Sequence, residues 1–143
     1  MDCLHKESIS TDLDLAYQFV REIPEDFQSQ SRYHAVLLRT KFFIPCLIDS
    51  IQNDEYTPLR LYEADKAFFV VFDHLNKAIE WLNADISYVK FIELSGEELI
   101  QRLSSHHYLL INPGTDQFFE MSPHHINYLK KLIVELSEKS SFV

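Results

Sequence analysis

The sequence predicts an α+β fold: a mixed, mainly antiparallel sheet of about five to six strands flanked by four to five helices. Three observations lead there. The stretch from Val89 to Leu136 reads strand, capped helix, strand, Asn-Pro-Gly turn, strand, capped helix, with a local signal at almost every boundary. Ala67 to Phe72 is an unbroken apolar run of the kind that forms a central strand covered on both faces. Apolar residues at helical spacing precede and follow these strands.

The chain of 143 residues is one domain's worth and can bury roughly two-thirds of its unfolded surface. Residues 1–10 are expected as a flexible N-terminus and 11–143 as a single domain. A 13% aromatic content, with 11 Phe and 7 Tyr, argues against disorder. No apolar run approaches the roughly 18 residues of a membrane span, and Met1 to Glu7 lacks the basic-then-apolar layout of a signal peptide, so a cytoplasmic location is expected. The formal charge of −9 disfavours nucleic acid, since the one basic pair, Lys130-Lys131, sits beside Glu135 and Glu138 on a solvated helix face.

Taken in order, Thr11 is the expected N-cap of a helix from about Asp12 to Glu22, with Leu13, Ala16, Val20 and Ile23 at helical spacing. Pro24 stops it. A second helical segment within 25–39 carries Tyr33, Val36, Leu37 and Leu38. Lys41 marks the change to strand, and Phe42 to Ile48 is aromatic and β-branched. Pro45 places that strand at an edge or a bulge, because proline cannot donate to a ladder. Asp49 to Glu55 reads as polar loop. Tyr56 to Tyr62 alternates, with Leu59 and Leu61 on one face and Arg60 on the other. The turn Glu63 to Lys66 then leads into the central strand, so residues 42–72 are expected as an antiparallel meander.

Asp73 is the expected N-cap of the next helix, whose Leu75, Ala78, Ile79 and Leu82 form an inward stripe with Trp81 beside it. His74, Asn76, Lys77 and Glu80 should face outward. The chain returns as a strand over Ser87 to Leu94. Ser95-Gly96-Glu97-Glu98 matches a capping box, followed by a short helix carrying Leu99, Ile100 and Leu103. Asn112-Pro113-Gly114-Thr115 reads as a type II turn, with Pro113 presetting φ at its second position and Gly114 supplying positive φ at its third. Ser122 then caps, Pro123 occupies the first helical position, and Ile126, Leu129, Ile133 and Leu136 line one face of the last helix.

These motifs resemble the N-terminal domain of the SseB family, bacterial proteins named for enhanced serine sensitivity and linked also to type III secretion. The resemblance rests on Phe43-Ile44-Pro45, on Phe68 to Phe72, on Glu93 to Leu99 and on Asn112-Pro113-Gly114, and it spans about Tyr33 to Ile133. Where the family ends its central strand with Phe-Thr-Ser, this chain has Phe72-Asp73-His74, which keeps a capping residue of different chemistry. Family members often carry a second domain, and the 143 residues are expected to form only the first. The resemblance carries over no catalytic residue.

The residues themselves offer little chemistry. His106-His107 and His124-His125 could supply imidazoles to a metal if the hairpin brought them together, but adjacent side chains diverge, and no Cys, Asp or Glu cluster shares their spacing. Cys46 lies in an apolar strand, where burial suppresses its reactivity, and Cys3 is too remote in sequence for a metal knuckle. Carboxylates such as Glu97-Glu98 and Glu25-Asp26 fall in helix first turns, where the macrodipole already favours them. Two glycines cannot build a phosphate-cradling loop. No cofactor and no enzymatic activity are expected.

The expected function is a non-catalytic, cytoplasmic protein-interaction module, associated with secretion or stress through the resemblance. Its candidate contact residues are Phe43 and Pro45 on the proline-marked strand, Trp81, and Asn112, Pro113 and Gly114 of the turn. One alternative is an acidic secretion chaperone of the type III kind, acting as a homodimer. Another is a metal- or small-molecule-binding protein that uses the histidine pairs.

Overall fold

In the computed structural model, which describes residues 11–22, 24–48, 57–104 and 106–140, Thr11 is the expected cap of the first helix. Its hydroxyl accepts the Asp14 N–H at 3.0 Å, and the Asp14 carboxylate accepts the Thr11 N–H at 3.2 Å. Helix α1 (Asp12–Glu22) follows and buries Leu13 and Ala16. Helix α2 (Phe27–Arg39) starts after Pro24, with Asp26 as N-cap, and buries Tyr33, Val36, Leu37 and Leu38. The expected flexible decapeptide with Cys3, Ile23 of the first helix face, the loop from Asp49 to Glu55, and Tyr56 lie outside the described residues.

Among the described residues, six strands form two sheets. β1 (Lys41–Leu47) pairs antiparallel with β4 (Val89–Ser95), and a second sheet runs in the order β2 (Arg60–Glu63), β3 (Lys66–Val71), β5 (His107–Ile111), β6 (Phe119–Met121). β3 and β5 are parallel, with Phe69 opposite Leu109, while the other pairs are antiparallel. The fold is therefore mixed α+β, with five α-helices among the described residues.

The expected meander over 42–72 is corrected: only β2 and β3 form its hairpin, and β1 takes a ladder partner almost fifty positions away. Pro45 is also not on a free edge. On the side away from β4, Phe43 exchanges backbone hydrogen bonds with Phe72, Leu47 donates to Thr57, and the Pro45 carbonyl accepts from Leu59 at 2.8 Å. The donor that proline lacks falls where β1's neighbour changes from Phe72 to residues 57–59. No bond is lost there, so the strand tolerates the proline.

Register sorts the second sheet into two faces. Phe69, Val71, Leu109, Ile111, Phe119 and Met121 share one, packed with Leu13, Tyr33, Leu37, Ile100, Ile126 and Leu129 from the helices. Val70 and Phe72 share the other with Ala78, and Trp81 and Phe91 pack around them. Both faces of β3 are thus covered, which is why its sequence is continuously apolar.

The remaining helices are α3 (Leu75–Leu82), α4 (Gly96–Arg102) and α5 (Pro123–Ser140). Ser95 and Glu98 form the expected capping box of α4, with both bonds at 3.1 Å. A Cβ on Gly96 would lie 1.9 Å from the Leu37 carbonyl oxygen, so this glycine lets α4 start directly against the last turns of α2. Ser122 caps α5, accepting the His125 N–H on its hydroxyl and the Ile126 N–H on its carbonyl.

Several expected details change. The N-cap of α3 is His74, whose Nδ1 accepts the Asn76 N–H at 3.1 Å, and not Asp73. The α3 stripe buries Ala78 and Leu82 but leaves Leu75 and Ile79 partly exposed, because this eight-residue helix covers only a small cluster. Lys77 turns inward. Leu136 is about half exposed, since the core ends near Ile133. Residues 83–88 form a 3-10 turn, delaying β4 to Val89.

Candidate functional site

The structure draws polar groups from three distant segments to one end of the second sheet. Asp73 lies two residues past the end of β3, and its side chain is fully buried. Lys77, one helical turn later on α3, places Nζ 2.7 Å from Asp73 Oδ1 and 2.7 and 2.8 Å from the two Asp14 oxygens. The Thr11 hydroxyl donates to Asp73 Oδ2. One ammonium thus bridges two carboxylates, tying α1 to the start of α3. Each acid has further donors, as a buried charge requires. The sequence does carry a trace of this, an Asp and a Lys at i and i+4, but not the third partner from α1.

Asn112 closes the same end. It is almost fully buried, at 1% exposure, and holds a left-handed φ of 55°. Its Oδ1 accepts the Asp73 N–H at 3.0 Å, its own N–H donates to Val71, and its carbonyl accepts both the N–H and the hydroxyl of Thr115. These four bonds hold a conformation that costs a non-glycine residue about 1–2 kcal/mol. They link the ends of the parallel strands β3 and β5. The expected type II turn follows, with Gly114 at φ 82°, but it is part of a seven-residue connection between β5 and β6 and not a tight hairpin.

The six residues singled out from the sequence fall mostly in this neighbourhood. A Cβ on Gly114 would lie 2.7 Å from Trp81 Cδ1, so the indole sits on the turn, and its ring lies 5.7 Å from that of Phe72. Phe72 is in turn bonded to Phe43. Phe43 and Trp81 are half-buried and Gly114 exposed, whereas Pro45, Asn112 and Pro113 are buried. A groove of about 460 Å³ lies between α1 and the β5–β6 connection, lined by Gln18, Arg21, Glu22, Asp116 and Gln117. Arg21 and Tyr17 reach across beside it to the carbonyls of Asp116 and Phe118.

The histidines do not meet as sequence neighbours. His107 bonds Ser104 and stands edge-on to Phe69, while His125 faces His34 of α2, with Nε2 atoms 2.8 Å apart. Burial lowers the pKa of His34 and, with the nearby His34 and His124 adding to it, pushes His125 down to about 4. The His34 partnership is invisible in sequence because it depends on how α2 packs on α5. Burial also pushes the Cys46 thiol up to about 11, which keeps it protonated and unreactive at neutral pH. Among the described residues, no group of three or more His, Cys, Asp or Glu is placed to hold a metal ion.

The least satisfied surface is β2. All four of its residues are exposed, and Tyr62 and Leu61 retain 71% and 37% of their accessible area. β2 ends the four-stranded sheet, so its outer side faces no further strand among the described residues. Arg60 lies over the Phe69 ring at 5.4 Å, which leaves the apolar side chains Leu61 and Tyr62 uncovered beside it. No helix among the described residues is long and apolar enough to cross a membrane.

The model of the SseB protein N-terminal domain matches residues 16–127 of this chain. No curated protein and no solved structure matches it.

Proposed function

Because the chain belongs to the SseB family, we propose that it serves as a non-catalytic, cytoplasmic module that captures a protein partner by adding a strand to the edge of β2. The exposed edge with Leu61 and Tyr62 is the observation that carries this reading. An uncovered strand edge offers unpaired backbone donors and acceptors, which soluble proteins usually protect with lysine, proline or a covering loop. β2 has a lysine-free stretch, Arg60-Leu61-Tyr62-Glu63, with two apolar side chains at its middle. Alternate side chains of an added strand would meet Tyr62 on one face and Leu61 on the other. Phe43, Trp81 and Gly114 keep exposed area and remain candidates for secondary contact.

The buried Asp14–Lys77–Asp73 network supports a scaffold role for the chain's most chemistry-like cluster, since every charged group in it is paired and turned from solvent. The test is capture with purified wild-type chain and with a Leu61→Lys/Tyr62→Lys variant. Both positions are exposed, so the variant keeps its thermal midpoint. Loss of the specifically captured protein supports the reading, and undiminished capture by the variant contradicts it.

A second reading, a chaperone-like homodimer, draws on α5, whose Tyr128 and Val134 are about half exposed. Light scattering at high concentration tests it. A strictly monomeric chain removes that reading and leaves the edge proposal standing.

A further inference from the structure

From the convergence of two imidazoles on different helices, we propose that His34 of α2 and His125 of α5 form a two-ligand site for a borderline divalent transition metal such as Zn²⁺. The Nε2 atoms face each other at 2.8 Å, with ring centroids 4.9 Å apart. One nitrogen carries the hydrogen and the other accepts it, so the accepting ring is neutral, and burial lowers the pKa of both rings, which favours the neutral form of the donor as well. Neutral imidazole is the form that binds metal.

Three features of the surroundings favour this chemistry. The walls are aromatic: Tyr128 lies 5.6 Å from His34, and Phe119 lies 5.7 Å from His125. These rings restrict the imidazoles. Burial disfavours protonation of His125, and the neighbouring His34 and His124 add to it. Both histidines are only half-buried, so a hydrated ion can reach the outward side of the pair.

The geometric demand is small. Two Zn–N bonds of about 2.0–2.1 Å at a tetrahedral angle separate the nitrogens by about 3.3 Å, so the rings must part by roughly half an ångström. The hydrogen between the rings leaves Nε2 and a proton is taken up on Nδ1 of the same ring, so that ring stays a neutral imidazole and no electron transfer is involved. Water completes the coordination. A nitrogen-only donor pair without thiolate or carboxylate suits Zn²⁺, Ni²⁺ or Cu²⁺ and discriminates against Mg²⁺ and Ca²⁺. Bound metal would pin α2 to α5 across the helical layer.

The test uses the full chain in metal-free buffer, unfolded by urea with Zn²⁺ or with Mg²⁺ as a control. Zn²⁺ should stabilise the wild type, with the folding equilibrium constant rising about 100-fold when free Zn²⁺ reaches 100 times its Kd. Mg²⁺ should have no effect. His34→Gln and His125→Gln should each abolish the gain, and His124→Gln should retain it. The imidazole nitrogen resonances of the wild type give a readout independent of any variant's folding: Nε2 of both His34 and His125 should shift on adding Zn²⁺. No Zn²⁺ stabilisation, retention of it in His125→Gln, or shifts confined to other histidines would overturn the proposal.

Discussion

Replacing Lys77 with methionine tests whether the bridge between two carboxylates holds α1 on the sheet. Methionine keeps most of the aliphatic stem and removes only the ammonium. The Lys77 side chain is 13% exposed, and its partners Asp14 and Asp73 are 8% and 0% exposed, so the loss strands two largely dehydrated negative charges. Breaking one side of a buried ion pair typically costs about 3–5 kcal/mol. Here the Thr11 N–H still serves Asp14 and the Thr11 hydroxyl still serves Asp73, which argues for the lower end, about 3 kcal/mol. With a urea slope of about 2 kcal/mol per molar, the midpoint should fall by about 1.5 M with the slope unchanged. Adding Asp14→Asn and Asp73→Asn should recover much of the loss, because no charge is then left unpaired. A midpoint shift below about 0.5 M, equivalent to roughly 1 kcal/mol, would refute the reasoning.

Other perturbations probe separate parts of the fold. Gly96→Ala places a methyl into the Leu37 carbonyl, and despite alanine's better helix propensity it should lose at least about 2 kcal/mol by urea unfolding. Ala64 holds φ 54° in the β2–β3 turn, so Ala64→Gly should gain about 0.5 kcal/mol, measured the same way. His125 has a depressed folded-state pKa, so between its ordinary 6.5 and about 4 the unfolded chain binds more protons than the folded one. Stability from this residue is complete above 6.5 and lost as pH falls toward 4. After allowance for its partial exposure, the loss should be on the order of 1–2 kcal/mol. Chelator-treated wild type compared with His125→Gln across that range isolates it, and identical pH profiles would contradict the assignment.

Local signals in this chain are legible wherever the deciding partner is close in sequence. Thr11, Ser95 with Glu98, and Ser122 each cap a helix through bonds within a few positions of themselves, and Pro113 with Gly114 form the middle of a turn that the Thr115 N–H closes on the Asn112 carbonyl. Distance in sequence is what hides the rest. Pro45 implies only a missing donor, and the bridging of β1 by Phe72 and Leu59 decides where that gap falls. Asp73 resembles a cap by position, yet Lys77, Thr11 and Asn112 take up its groups, and the neighbouring His74 caps instead.

The candidate surfaces divide along the same line. Leu61 alternates correctly in sequence but lies on the end strand among the described residues, a fact set by β3 choosing β5 as its second neighbour. Trp81 and Gly114 are each conspicuous residues, and only packing places one on the other. His34 attracts no notice by spacing, whereas His106-His107 does. Helix docking reverses their standing by bringing His34 against His125.

Hydrogen exchange at β2, measured residue by residue with and without the captured partner, bears most directly on the proposal that this domain works through its sheet edge. Slowed exchange of the Arg60–Glu63 amides on binding is the predicted result. Protection confined to other elements, with β2 exchanging as in the free chain, would contradict it.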